Sequence, residues 1–317
     1  MRRRILILGL PYFGKLLGEV LNARGWEARY HEHPGRDVRR WARLAPLVAR
    51  ADLIYLISSR IERRSPQAVL AALRRRPMII HWVGTDVLFA RDEHLAGRSS
   101  ERLKRQATHL ADAPWLVDEL AELGIEAEYV PLPVPSLHTG DPPPLPATFR
   151  VLLYYPVDPI DREVFDWDAM LGLATAFPDV QFQLVPSPPE TLPGPLPPNL
   201  TARGWVRDVD ALYRDTTVYV RLTAHDGTSF MAVESLSRGR YVIWTFPLSG
   251  AIQARGFEAV SATLRELWER HQRGELELNE AGRAAALTDF DPDRLAGDLD
   301  ARLREALGVS PRPTRAP

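Results

Sequence analysis

The chain has no cysteine, which excludes disulfides, thiolate nucleophiles and cysteine zinc sites together. A reducing, cytoplasmic setting is the expectation that follows. Lysine is nearly absent too: Lys15 and Lys104 are the only two, so arginine supplies the rest of the 40 basic residues. No stretch approaches the roughly 18 uninterrupted apolar residues of a membrane span. The opening Met1-Arg2-Arg3-Arg4 leads into a short apolar run, Ile5 to Gly9, read as a first strand and not as a leader. A strong net charge is missing as well: it is −1 over 317 residues, so nucleic acid, which calls for a large basic excess, is not an expected partner.

That near-neutral balance is uneven. Residues 1–145 hold 22 Lys/Arg against 17 Asp/Glu, leaving 18 against 24 for the remainder. The first half therefore offers a basic face to phosphate-bearing ligands or an anionic membrane surface. With 45% hydrophobic and 26% charged residues, the composition is that of an ordinary globular protein, and the length suits two domains of about 150 residues.

Short apolar runs of strand length (Ile5 to Leu8, Ala28 to Tyr30, Leu53 to Ile57, Met78 to Trp82) alternate with helical patterns at Phe13 to Arg24, Asp37 to Ala49 and Pro66 to Arg75. Alternation of this kind predicts a parallel, doubly wound α/β sheet. A helix from Trp115 to Leu123 and a strand from Ala127 to Val130 continue it, and then Pro131 to Pro146 supplies seven prolines. Proline lacks the amide donor and holds its predecessor extended, so this stretch reads as a linker. The expected division is a first domain over 1–135, a linker over 136–148 and a second domain over 149–317. In the second, strands at Arg150 to Tyr155, Val180 to Leu184, Leu200 to Trp205, Val218 to Arg221 and Tyr241 to Thr245 alternate with helices, the last from Pro292 to Leu307. Two Rossmann-like domains facing across a cleft would place a ligand at the carboxyl edges of their strands.

The informative segment follows the strand ending at Arg221: Thr223-Ala224-His225-Asp226-Gly227-Thr228-Ser229-Phe230-Met231-Ala232-Val233-Glu234, then a turn at Gly239 and the strand containing Val242-Ile243. Asp226 lies in the loop before a helix and Glu234 about one and a half turns inside it. The amides of Gly227, Thr228, Ser229 and Phe230 lie at a helix N-terminus, where orphan donors and the macrodipole favour phosphate. The alternative is that Asp226 caps the helix and Glu234 is a solvated helix residue.

This pattern resembles the signature of the retaining GT-B glycosyltransferases, especially glycosyltransferase family four, in which two acids flank a glycine-containing loop and helix. The resemblance implies a metal-independent transfer of a sugar, with retention, from a nucleotide-sugar donor to an acceptor that is a polysaccharide, a lipid-linked sugar or a small molecule. It implies that Asp226 contacts the donor sugar and Glu234 the ribose. By the same resemblance Trp205 and Val206, in Gly204-Trp205-Val206, line the nucleotide base, and His81 approaches the sugar. Gly9 and Gly14, in Gly9-Leu10-Pro11-Tyr12-Phe13-Gly14, touch donor phosphate or acceptor. Pro11 breaks the Gly-x-Gly-x-x-Gly pattern of dinucleotide binding, and no cofactor is expected.

The chain departs from that family at one place. The family carries an Arg and then a Lys after the first strand of the second domain, both on the diphosphate. Here that loop reads Tyr155-Pro156-Val157-Asp158-Pro159-Ile160-Asp161-Arg162; Arg162 takes the second role and the first is empty, leaving Arg203, Arg207 or Arg221 to substitute. A noncatalytic GT-B subunit that binds carbohydrate or a partner, and a nucleotide-sugar epimerase, are the competing readings. Asp166, Asp208 and Asp291 each open an Asp-x-Asp, but each stands at a helix start and reads as a cap; no metal site is expected. Arg36, Arg39, Arg40 and Arg43, beside Trp41, Leu44 and Leu47, motivate peripheral contact with an anionic membrane.

Overall fold

The computed structural model describes residues 3–35, 37–68 and 77–310. The chain divides into two compact units, Met1–Pro133 with Pro292–Pro317, and Val134–Asp291.

The first unit is built on a six-stranded parallel sheet: β1 (Arg4–Gly9), β2 (Glu27–Glu32), β3 (Leu53–Ile57), β4 (Met78–Trp82), β5 (Thr108–Ala111) and β6 (Ala127–Tyr129), in the order β2-β1-β3-β4-β5-β6. Ile5 to Leu8 of β1 and the whole of β3 are apolar runs because both sheet faces are covered; all five residues of β3 are buried. The helices are α1 (Pro11–Ala23), α2 (Val38–Arg50), α3 (Asp86–Leu95), α4 (Glu101–Gln106) and α5 (Pro114–Glu122). Proline opens α1, where its missing donor is harmless, and Asp37 caps α2 by accepting from the Arg39 and Arg40 amides. Residues 66–68 are helical; the remainder of the expected Pro66–Arg75 helix lies outside the described residues, as does Arg36. On α2, Leu44 and Val48 are buried in the core and Trp41 and Leu47 pack against it, while Arg40 pairs with Glu32 at 3.0 Å. The apolar stripe of that helix is thus a core face. Among the described residues no helix is long and apolar enough to cross a membrane.

One boundary differs from the expectation. The final helix, which the sequence pattern assigns to the second domain, packs on the first unit. Trp26 Nε1 donates to Asp300 Oδ1 at 2.7 Å, the Arg304 guanidinium lies 5.2 Å over the Trp26 ring, and Arg24 donates to the Asp293 carbonyl at 2.7 Å. Leu295, Leu299 and Leu303 of this helix are completely buried. The reason is its apolar stripe: the stripe shows that the helix must bury a face, and the partners above decide where.

The second unit repeats the plan with β7 (Arg150–Tyr155), β8 (Gln181–Pro186), β9 (Leu200–Ala202), β10 (Val218–Arg221), β11 (Tyr241–Trp244) and β12 (Ile252–Gln253), all parallel in the order β12-β11-β10-β7-β8-β9. Its helices are α6 (Pro159–Arg162), α7 (Trp167–Ala176), α8 (Val209–Arg214), α9 (Phe230–Ser237), α10 (Gly256–Gln272) and α11 (Glu280–Asp289), and the final helix is α12 (Pro292–Ala306). Asp166 and Asp208 cap α7 and α8 through the Ala169 and Ala211 amides. The proline-rich segment ahead of β7 is fastened to this unit by buried arginines: Arg238 donates to the Ser136 carbonyl at 2.8 Å and Arg240 to the Pro144 carbonyl at 3.0 Å.

Candidate functional site

In each sheet the strand order reverses once, between β1 and β3 and between β7 and β10. At such a point the two carboxyl-end loops leave in opposite directions and open a crevice suited to ligands.

In the second unit the flanking loops are tied together. Thr223 Oγ1 donates to the Val164 carbonyl at 3.0 Å, and the Ala224 amide donates to the same carbonyl at 2.7 Å. Asp226 stands in this loop, and its carboxylate is held by Arg221 at the end of β10. Arg221 Nη2 donates to Asp226 Oδ1 at 2.9 Å and Nε donates to Oδ2. Arg221 Nη1 donates to the Tyr219 hydroxyl at 3.2 Å, and the guanidinium lies 4.6 Å over the Tyr154 ring and 5.1 Å over that of Phe165. Burial disfavours the charge on Arg221, and the Asp226 carboxylate more than offsets that, so its pKa is raised. Asp226 is therefore an anchored anion rather than a loose one, and the guanidinium of Arg221 is engaged within the protein.

Gly227, Thr228, Ser229 and Phe230 are buried at the start of α9, where Ser229 Oγ accepts from the Ala232 amide at 3.3 Å. Glu234 is only 5% exposed. Its Oε2 accepts the Tyr213 hydroxyl at 2.7 Å and its carboxylate is also bonded by the Ser136 backbone. Burial raises its pKa, with Tyr213 and Arg238 opposing. Glu234, the acid expected to meet a ribose, is thus engaged by the Tyr213 hydroxyl at the end of α8.

Arg162 ties the loop after β7 to the loop after β8. Its Nε donates to the Pro156 carbonyl at 2.9 Å and its Nη1 to the Thr191 carbonyl at 2.7 Å. No ion pair joins it to a carboxylate among the described residues, although Asp158 and Asp161 share its short helical segment. Beyond β9, which ends at Ala202 instead of the expected Trp205, Trp205 is 73% exposed and Val206 is half-buried. An indole left in water on a carboxyl-edge loop is available for stacking. Arg203 and Arg207 flank it, both exposed. Among the described residues no group of three or more His, Asp or Glu could hold a metal ion.

The first unit corrects a further expectation. His81 is completely buried within β4, with its Nδ1 2.7 Å from the Tyr55 hydroxyl. Burial pushes its pKa down to about 3 against a weaker opposing bond to the Val130 backbone. It is a neutral core histidine, because Tyr55 on the neighbouring strand claims its ring. Gly9 and Gly14 have packing reasons of their own: a Cβ on Gly9 would lie 2.1 Å from the Ile57 carbonyl oxygen, and one on Gly14 2.2 Å from the Tyr30 ring. Gly9 also borders a groove of about 590 Å³ at the β1/β3 reversal, lined by Glu32, His33, Ser58, Glu62 and Gln67.

Asp86, which opens α3 just beyond β4, is buried with its carboxyl accepting the Val83 amide at 3.1 Å, and burial pushes its pKa up to about 8. The stability it contributes is full below pH ~4 and is lost as pH rises through about 8. His81 and His109, pushed down by burial to about 3 and about 4, contribute stability that is full above pH ~6.5 and is lost as pH falls through those values. Between pH 6.5 and 8 the histidines no longer titrate, so the wild-type chain is expected to lose on the order of 2 kcal/mol there while Asp86→Asn loses less. Urea unfolding at pH 6.5, 7 and 8 reads the difference, and parallel trends in the two proteins would refute it.

Arg221 and Tyr213 are the two site residues that motif reasoning missed as partners of the acids. For Arg221 a signal was present, a basic residue closing a strand five positions before the acid; Tyr213 comes from another helix and left none.

No family model matches the chain, and the curated proteins give no match. Solved structures do resemble it. Sucrose-phosphate synthase from Thermosynechococcus elongatus is 14% identical with a TM-score of 0.72, over 98% of this chain and 100% of that one. A glycosyltransferase from Rickettsia africae is 10% identical with a TM-score of 0.65, over 98% and 100%. The pneumococcal O-GlcNAc transferase, solved with UDP and GlcNAc, is 11% identical with a TM-score of 0.51, over 80% of this chain and 57% of that one. The fold is that of the GT-B glycosyltransferases, two parallel six-stranded sheets with alternating helices.

Proposed function

We propose that this GT-B-fold chain is a glycosyltransferase that takes a sugar from a nucleotide-sugar donor, with retention and without a metal. The observation that carries the reading is the carboxyl edge of the second unit. There the loops after β10, β7 and β9 present in turn the N-terminal turn of α9, the Arg162 guanidinium and the exposed indole of Trp205. Nucleotide-sugar cleavage needs those elements: donors and positive charge on the departing diphosphate, and an aromatic face for the base. Arg203 and Arg207 supply cations beside the Trp205 loop, and Asp226, held by Arg221, meets the hydroxyls of the donor sugar. The groove at the β1/β3 reversal suits an acceptor rich in hydroxyls, since Glu32, Glu62 and Gln67 offer it hydrogen-bond acceptors.

The test is incubation with UDP-, GDP- and ADP-sugars and a panel of hydroxylated acceptors. Nucleoside diphosphate release that depends on the acceptor, gives a retained anomer by NMR and is unchanged by EDTA is the expected result. Failure of every nucleotide to bind would overturn the reading. Trp205→Ala is expected to weaken nucleotide binding about tenfold, the effect of removing one base-stacking aromatic, with an unchanged melting temperature because the indole is exposed. Unchanged affinity by calorimetry would remove Trp205 from the site.

A second reading, a noncatalytic subunit that binds the nucleotide sugar, is favoured by one specific observation: Arg221 is engaged with Asp226 and cannot serve the diphosphate. Tight nucleotide binding without turnover over the whole panel would select it.

A further inference from the structure

The first unit carries a second groove, of about 610 Å³. It lies between the loop after β3 and the segment joining α3 to α4, and Arg63, His94, Arg102 and Arg105 line it. Two contacts fix its walls: the Arg63 amide donates to the Arg98 carbonyl at 2.8 Å, and Arg63 Nη2 donates to the Gly97 carbonyl at 2.7 Å. Arg64 and Arg98 flank it in the chain, and all five arginines are exposed. None of the five pairs with a carboxylate among the described residues, although their neighbours do: Arg60 with Glu93 at 3.7 Å and Arg91 with Glu119 at 3.2 Å. Glu101 is the one carboxylate on the lining, and the buried Lys104 ammonium answers it at 3.1 Å.

Three guanidinium groups share one lining with a single carboxylate, Glu101, which Lys104 already answers; they repel one another, and that repulsion is relieved when an anion enters. The guanidinium fork is matched to the oxygens of phosphate or sulfate. The groove is concave and of small-ligand size, which favours a compact soluble anion over a flat bilayer face. We propose that this groove is a binding site for a soluble, multiply charged phosphate- or sulfate-bearing ligand, distinct from the carboxyl-edge site of the second unit.

Calorimetric titration of the full-length chain with tripolyphosphate at 50 and 200 mM salt tests it. Saturable binding that weakens with salt is expected, with a loss of at least about tenfold in the double variant Arg102→Gln/Arg105→Gln. The control Arg39→Gln/Arg43→Gln, exposed arginines of α2 outside the groove, is expected to leave it unchanged. Absence of binding, an equal loss in both double variants, or binding only to anionic vesicles with none to tripolyphosphate would overturn the proposal. A sulfated disaccharide in place of tripolyphosphate distinguishes a sulfate ligand from a phosphate one. Circular dichroism of both variants guards against misfolding.

Discussion

Arg221→Ala is expected to cost the second unit about 3 to 5 kcal/mol, because it strands the buried Asp226 carboxylate without its partner. The side chains are 10% and 14% exposed, so water replaces little of the lost pairing. The aromatic faces of Tyr154 and Phe165 would be left over a void as well. The apolar double variant Arg221→Met/Asp226→Leu is expected to recover most of that loss, since two buried charges leave together. Denaturant unfolding of the single and double variants measures both, and a cost below about 1 kcal/mol for Arg221→Ala would place the pair among weak surface contacts. The double variant separates stability from chemistry: a stable fold with no sugar transfer assigns the anchored anion to the reaction.

The second large effect concerns Glu234. Glu234→Ala is expected to lower nucleotide affinity by about 10- to 100-fold, the value of a charge-assisted hydrogen bond of roughly 1.5 to 3 kcal/mol. Tyr213→Phe makes the prediction specific. If the Tyr213 hydroxyl occupies Glu234 in the unliganded chain and yields it to a ribose, removing that hydroxyl frees the carboxylate and affinity rises or holds. If Glu234 only braces α9 against α8, both substitutions lower stability and neither changes affinity. Calorimetry with UDP, GDP and ADP, run beside thermal unfolding, distinguishes the two.

Much of this architecture is legible in the chain itself. Runs such as Leu53 to Ile57, apolar at every position, can only be strands covered on both faces, and Asp37, Asp166 and Asp208 announce the helices they cap. The glycine after Asp226 and the helix behind it also fall where the pattern puts them. What escapes is what depends on a second element. A histidine near a strand end reads alike whether it faces water or a tyrosine, and Tyr55, 26 residues upstream, settles the matter for His81. The same holds for Glu234, whose surroundings come from α8 and the proline-rich segment. The stripe of Leu295, Leu299 and Leu303 shows that α12 must bury a face without saying against which sheet.

The return of α12 to the first unit also bears on how the chain is made. During synthesis the strands β1 to β6 leave the ribosome without the helix that covers Trp26 and supplies three buried leucines. At about 5 to 20 residues per second, the interval before residue 292 follows residue 133 is on the order of ten to thirty seconds. The second unit, contiguous in sequence, is complete by residue 291 and so is able to close first. A nascent chain halted before α12 therefore holds a finished carboxyl half beside an amino half with an open apolar face, the state in which a chaperone would find it.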